Sequence, residues 1–276
     1  MPRVPLARTS VRDALDSAVI ALGAAGCDTP RLDAEVLLAD VLGCDRAALV
    51  AHPGRELDPG EARAFQAAAR RRSRREPVAY ILGRRGFRRL ELDVDPRVLV
   101  PRPETEHLVE AALGLSEGAT VVDVGTGSGA VALALADERP DQRVIGTDVS
   151  GDALAVARTN AARLGLDVEW REGDLLAGVR EADAVVSNPP YVRVGARVPA
   201  ELGFEPVRAL LAGDTGLEVY DRLVPAAAAT GARFAALEVG EGQAGAVQER
   251  LRAAGFDAIE RIRDLAGIER VVVARR

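Results

Sequence analysis

The chain contains no lysine: all 36 of its basic residues are arginine. That excludes a P-loop lysine, a Schiff-base lysine and a lysine nucleophile, and the bias reads as that of a GC-rich coding sequence. Cysteine and histidine are almost as scarce, Cys27, Cys44, His52 and His107 being the full set. Two cysteines cannot make a four-cysteine zinc site, and no C-x-x-C or paired histidines suggest a mixed one, so no metal is expected. The same scarcity speaks against a disulfide scaffold and a Ser-His-Asp hydrolase, and both cysteines read as small core residues. Aromatics supply only 3% of the residues, which leaves leucine, valine and alanine to build the core. No apolar run approaches the roughly 20 residues of a membrane span. Residues 1–15 carry arginines but lack the compact apolar stretch and cleavage site of a secretory signal. A cytoplasmic monomer without membrane association is expected.

With 276 residues, 48% of them apolar and 28% charged, the composition is that of a globular protein of about two domains. A net charge of −6 argues against a general nucleic-acid coat. Residues 1–80 read as helical. Ser10 caps a segment with apolar positions at Val11, Leu15, Ala18, Val19 and Leu22, one face of a helix, with Gly26 beyond its end. A second segment follows Thr29 and Pro30 and stops at Gly43; a third runs from Pro59 into an arginine-rich end. Residues 81–105 read as a hairpin linker with short strands at 87–94 and 98–100.

From about residue 106 to 276 the pattern alternates. Apolar strands are expected at 120–124, 144–147, 168–171, 184–187 and 234–239, with helices at 130–137, 151–164 and 218–229. This alternation implies a parallel sheet covered on both faces. The last two strands, 258–263 and 270–274, are only six residues apart and must be antiparallel neighbours. The expected fold is therefore α/β: a seven-stranded, mostly parallel, doubly wound sheet ending in an antiparallel hairpin, with a small N-terminal helical domain and a hairpin linker.

Residues 120–129, Thr-Val-Val-Asp-Val-Gly-Thr-Gly-Ser-Gly, are a strand running into a glycine loop and a helix. Gly125, Gly127 and Gly129, with Thr126 and Ser128 between them, allow close approach of a ligand to the backbone. Gly125, Gly127 and Ala130 also fit the dinucleotide fingerprint, so the loop alone does not separate NAD from other adenosine cofactors. Asp148 ends the next strand, 19 residues after Gly129, where an acid can accept both hydroxyls of a ribose. Its plainer reading is the cap of the helix that begins at Gly151. Asp174 follows the third strand and is placed to reach an adenine edge, or is only a solvated turn acid.

The fourth strand ends in Ser187-Asn188-Pro189-Pro190-Tyr191. Two prolines remove two backbone donors, which leaves the Pro189 carbonyl free beside the Asn188 amide oxygen. Two acceptors one residue apart suit a planar –NH2 group, and Tyr191 adds a flat surface against it.

At this point the chain resembles the class I S-adenosylmethionine-dependent methyltransferases, whose amino-group methylating branch carries Asn-Pro-Pro-Tyr. Within that branch it resembles the release factor glutamine N5-methyltransferases (the PrmC/HemK family). The likeness runs along nearly the whole chain, through Glu76-Pro-Val-Ala-Tyr-Ile-Leu-Gly83, Gly86-Phe87, Val100-Pro-Arg-Pro-Glu-Thr-Glu106, Phe204-Glu-Pro206, Gly213-Asp-Thr-Gly-Leu217, and Asp264 with Gly267 and Arg270. The resemblance implies methylation of the glutamine amide in the Gly-Gly-Gln motif of bacterial peptide chain release factors, with release factors as partners and no direct nucleic-acid binding. It implies that Gly125–Gly129, Asp148, Asp174, Leu175 and Asn188 hold S-adenosylmethionine, with S-adenosylhomocysteine as product. It gives Asn188, Pro189, Pro190 and Tyr191 to the glutamine amide, and Arg102, Glu104 and Thr105 to the substrate side of the site. Where the family often has an aromatic residue after the third-strand acid, this chain has Leu175. The N-terminal domain (1–80) would dock the substrate, and the methyltransferase domain would span 106–276.

An adenine-N6 methyltransferase of DNA or RNA is the rival enzyme reading, since adenine also offers an –NH2. It would need a base-reading region and a broad basic surface, and the acidic net charge counts against it. A non-catalytic nucleoside-binding protein would have no use for the intact Asn188–Tyr191 run. Residues 66–90 hold nine arginines and one glutamate, which is either a solvated helix end and hairpin or a face for an acidic partner. Glu238 is left open as a strand-end acid or a purely structural one.

Overall fold

Gly83 separates two stretches of chain that each close on a core of their own. The computed structural model describes residues 9–276. The first stretch is helical: α1 (Val11–Ala24), α2 (Pro30–Leu42), α3 (Arg46–Ala51), α4 (Pro59–Ser73) and α5 (Val78–Leu82). Ser10 and Asp13 form a reciprocal capping box on α1, and Asp58 and Glu61 do the same for α4. Gly43 ends α2 in the left-handed conformation, φ 60°. Helices α3 and α5, six and five residues long, are too short to show a period in sequence. Leu15, Leu22, Leu37, Leu38, Leu49 and Phe65 are central to the core these helices enclose. Cys27 is buried in it, but Cys44 is exposed just past Gly43, which corrects its reading as a core residue. Within this unit the arginine-rich end of α4 turns partly inward. Arg72 is buried and donates to Asp33 of α2 at 2.7 Å, and Arg71 pairs with Glu76.

The second unit opens with a hairpin, β1 (Arg84–Phe87) and β2 (Leu90–Asp93). This moves the expected turn: 87–94 is not one strand, and 98–100 is not a strand. The chain reverses at Arg88 (φ 53°) because Phe87 and Leu92 both bury into the core while Arg88 is drawn to Glu138, Glu110 and the Glu106 carboxylate. Arg89 pairs with Asp137. These hairpin arginines, like Arg71 and Arg72, are thus engaged by acids of their own unit.

After α6 (Glu106–Ala112) come β3 (Thr120–Val124), α7 (Ala130–Glu138), β4 (Arg143–Asp148), α8 (Gly151–Leu164), β5 (Glu169–Glu172) and β6 (Ala184–Ser187). A short pair, β7 (Val192–Arg193) and β8 (Leu211–Gly213), frames a one-turn helix α9 (Val207–Leu210). The chain then forms α10 (Glu218–Ala229), β9 (Phe234–Glu238), α11 (Ala244–Ala253), β10 (Ala258–Arg263) and β11 (Glu269–Arg275). The seven-stranded sheet has the order β10-β11-β9-β6-β3-β4-β5. Strand β11 enters between β10 and β9 and is antiparallel to both, while β9, β6, β3, β4 and β5 run parallel. The expected terminal hairpin is present, but its second strand lies inside the sheet.

Side-chain alternation divides the core into two layers. Val121, Val144, Val186 and Val273 face α6, α7 and α8, and Val122, Ile145, Val185 and Val272 face α10 and α11. Strands buried on both faces read as continuous apolar runs, and so 120–124, 184–187 and 234–238 do. The parallel strands all end at one edge, which brings the glycine loop, Asp148, Asp174 and Asn188 together there.

Candidate active site

Past Val124 the chain takes left-handed conformations at Gly125 (φ 71°), Gly127 (φ 55°) and Gly129 (φ 84°). Their surroundings differ. A Cβ on Gly129 would come within 3.0–3.2 Å of Leu133, Trp170 and Ala157, so this glycine permits close helix packing. A Cβ on Gly125 or Gly127 would meet no atom within 4 Å. Those two border a cavity of about 730 Å³, a size that suits a small-molecule ligand.

Asp123 holds the loop from beneath. Thr126 Oγ1 donates to its carboxylate at 2.6 Å and the Ala132 N–H at 3.2 Å. Burial pushes this carboxyl up to about 7, against those two donors. Thr126 and Ser128 are accordingly buried, with side chains away from the cavity. The Ser128 carbonyl accepts from Asn160, whose side chain also bonds both backbone polar groups of Asp93. One asparagine of α8 thereby ties the hairpin to the loop.

Asp148 accepts from Gly127 N at 3.0 Å and from Ser150 N at 2.9 Å. Ser150, not Asp148, caps α8, so the plainer reading of Asp148 falls. Burial raises its carboxyl above the usual carboxylate range, and the backbone N–H bonds of Ser150 and Gly127 oppose the rise. Asp174 lies on the cavity's lip, ion-paired with Arg222 of α10. Leu175 follows at φ 53°, its carbonyl accepting from Thr147 Oγ1 at 2.8 Å.

Ser187 fastens the end of β6 to β3, donating to the Val124 carbonyl at 2.7 Å. Asn188, Pro189 and Pro190 then line the same cavity as Gly125, Gly127 and Asp148. Asn188 Nδ2 donates to Thr105 Oγ1 at 3.0 Å. Glu238 is 2% exposed, and burial pushes it up to about 7. Tyr191 stands against this group, its phenol raised to about 12 by burial and by the Glu238 charge. Its carbonyl accepts from Gln243 Nε2 at 3.0 Å. Glu205 holds the loop before α6, accepting from Val100 N at 3.2 Å and pairing with Arg102.

Of the residues nominated from sequence, the structure brings Gly125, Gly127, Asp148, Asp174, Leu175, Asn188, Pro189 and Pro190 to one cavity. Thr126, Ser128, Gly129, Tyr191, Arg102, Glu104 and Thr105 stand off its lining. Arg97, Leu99, Val207 and Arg208 are among the other residues that line it and had no local signature. Asp123 had one: a carboxylate inside an apolar strand. Among the described residues no cluster of His, Cys, Asp and Glu could hold a metal ion, and no helix is long and apolar enough to cross a membrane.

Comparison with known proteins agrees with this geometry. Residues 13–83 match the model of the PrmC N-terminal domain, and residues 90–208 that of the methyltransferase small domain. The release factor glutamine methyltransferase of Koribacter versatilis is 42% identical over 282 residues, covering 97% of this chain and 99% of the relative. The chain belongs to the release factor glutamine methyltransferase family. The family member of Deinococcus radiodurans is 43% identical, covering 96% of this chain and 98% of its own length. As a member of this family the chain is an enzyme, a methyltransferase. Solved structures share its class I methyltransferase fold at low identity. A Pyrococcus furiosus methyltransferase aligns at TM-score 0.53 and 20% identity over 67% of this chain and 88% of that one. The Thermus thermophilus 16S rRNA N2 G1207 methyltransferase, solved with AdoMet and guanosine, aligns at TM-score 0.51 and 21% identity over 70% of this chain and 49% of that one.

Proposed function

We propose that the enzyme methylates the side-chain amide nitrogen (N5) of the glutamine in the Gly-Gly-Gln motif of bacterial peptide chain release factors, using S-adenosylmethionine. The observation that carries this reading is the common cavity of Asn188 and Pro189 with Gly125, Gly127 and Asp148. The residues suit the cofactor: open backbone at Gly125 and Gly127, a carboxylate at Asp148 for ribose hydroxyls, and the turn at Asp174 and Leu175 for the adenine. When bound, S-adenosylmethionine supplies an electrophilic methyl group on a sulfonium sulfur.

The chain's own task is to make an amide nitrogen react although its lone pair is delocalised. Asn188 Oδ1 and the Pro189 carbonyl accept the two N–H bonds of a planar –NH2. Pro189 and Pro190 have no N–H to compete. Two fixed acceptors aim the nitrogen and stabilise the positive charge that grows on it. Pro190 and Tyr191 flank the amide, and Arg102, Glu104 and Thr105 belong to the substrate side. No side chain has to take the proton, because an N-methylated amide cation loses it readily to water. The reading takes the enzyme as a monomer at work in the cytoplasm, where release factors act. Residues 1–80 would dock the release factor.

Tritiated S-adenosylmethionine tests the reading. Label is expected in a bacterial release factor and not in nucleic acid, and a Gln-to-Ala change in Gly-Gly-Gln should abolish it. Label that survives this change, or that enters DNA or RNA, overturns the proposal.

A further inference from the structure

Between the end of β6 at Ser187 and the start of β7 at Val192 lie the residues that carry the proposed acceptors. This stretch is under an unusual constraint. Pro189 and Pro190 have no N–H, and the Asn188 amide oxygen and the Pro189 carbonyl must stay open for a substrate. A segment whose polar groups are reserved in this way has no ladder to keep it in register. Its place is set by whatever fastens its two ends.

The leading end is fastened by Ser187, whose hydroxyl donates to the Val124 carbonyl at 2.7 Å. At the trailing end the fastener is one side chain from a distant part of the sequence. Gln243, just before α11, donates Nε2 to the Tyr191 carbonyl at 3.0 Å and to the Gly216 carbonyl at 3.2 Å. Its other end, Oε1, accepts from Gly240 N at 3.0 Å. Two carbonyls on one side and an N–H on the other admit only this orientation of the amide. One side chain thus joins the end of Asn-Pro-Pro-Tyr, the turn before α10 and the turn after β9.

Two glycines show how closely these segments meet. A Cβ on Gly216 (φ 79°) would stand 2.6 Å from the Tyr191 carbonyl oxygen and 2.8 Å from Gln243 Nε2. On Gly240 it would stand 2.9 Å from Gln243 Oε1 and 3.1 Å from the Tyr191 ring. Neither position has room for a side chain unless Tyr191 or Gln243 moves. This accounts for Gly216 in the run Gly213-Asp-Thr-Gly-Leu217, none of which lines the cavity.

We infer that Gln243 is a positioning residue for methyl transfer: by clamping the Tyr191 carbonyl it holds Asn188 and Pro189 where both acceptors meet one substrate amide. The inference rests on the reading of those two groups as acceptors for the substrate. Gln243 is not part of the cavity wall, so a change there acts on the geometry of the acceptors and spares the cofactor's contacts.

The test uses the full-length enzyme and compares wild type with Gln243→Glu and Gly240→Ala. Gln243→Glu is nearly isosteric and keeps the bond from Gly240 N, but it sets an oxygen against both carbonyls. Gly240→Ala leaves every donor and acceptor in place and presses on Gln243 Oε1 and the Tyr191 ring. Each should lower kcat for transfer to a release factor by about tenfold or more. Affinity for S-adenosylhomocysteine, measured by calorimetry, and KM for the release factor should stay within about twofold of wild type. A merely structural role would lower product affinity and binding stoichiometry along with kcat. Independently of any substrate, the side-chain NH2 resonances of Asn188, assigned by their loss in Asn188→Asp, should move in both variants while the Gly125 amide resonance stays. Should Gln243→Glu fail to fold, Gly240→Ala carries the same comparison. Wild-type kcat in the folded variants, a fall in kcat matched by the fall in product affinity, or unmoved Asn188 resonances overturns the inference. A wild type that labels no release factor overturns the functional reading instead, and the Asn188 resonances then decide this inference alone.

Discussion

At the scale of single residues, the same glycine motif holds two different constraints. Gly127 has a left-handed backbone and open space where a Cβ would stand, whereas Gly129 has neighbours at 3.0–3.2 Å. Alanine at 127 should cost about 1–2 kcal/mol of stability through backbone strain, and its methyl group would enter the space a ligand needs. Alanine at 129 adds overpacking against Leu133, Trp170 and Ala157, on the order of 1–3 kcal/mol more. The expected outcome is that Gly127→Ala loses affinity for S-adenosylhomocysteine out of proportion to its melting temperature, and that Gly129→Ala shows the larger drop in melting temperature. Calorimetry and thermal melts on both variants check this. The glycine loop and Asn188–Tyr191 were legible in the sequence because each states its chemistry locally. Glu205, and the contact that Thr105 makes, were not. The partners, Asn188 and Arg102, lie 83 and 103 positions away from Thr105 and Glu205 respectively, and proximity of that kind leaves no mark on a single sequence.

At the scale of elements, long periodic segments were legible and short or tertiary ones were not. Helix α8, for example, has the expected bounds, because its apolar face is a local signal, although its cap is Ser150 and not Asp148. Helices α3 and α5 stayed hidden for want of length, and α6 behind the prolines of the loop before it. The hairpin turn was misplaced because the ion pairs of Arg88 that stabilise a reversal there come from Glu110 and Glu138, on other elements. The arginine run at the end of α4 shows the same limit: charge density suggested a surface, and packing turned Arg72 inward. Its guanidinium and the Asp33 carboxylate are 7% and 9% exposed, 2.7 Å apart. Arg72→Ala would strand a buried carboxylate between α2 and α4, and denaturant unfolding should report a loss of about 3–5 kcal/mol. Adding Asp33→Ala should recover part of it, since the second change removes the uncompensated charge.

At the scale of the whole molecule, two buried carboxyls set a pH dependence. Asp123 and Glu238 are both pushed up to about 7 by burial, so the folded state keeps protons that the unfolded chain releases in the usual carboxylate range. Their contribution to stability is therefore full below that range, falls as pH rises towards 7, and is flat beyond it. Glu238→Gln removes one share. Its stability relative to wild type should grow between about pH 5 and pH 8, by at most about 3 kcal/mol, as thermal melts across that range would show. The placement of β11 has a consequence in time. A ribosome makes β9 before β10, and β10 before the strand that separates them. Until residues 269–275 emerge, β9 keeps an open row of backbone donors and acceptors along an apolar strand, the kind of edge that captures other chains. The nascent protein is thus most vulnerable to aggregation late in its own synthesis, when its parallel strands can already pair and the gap beside β9 is still waiting to be filled.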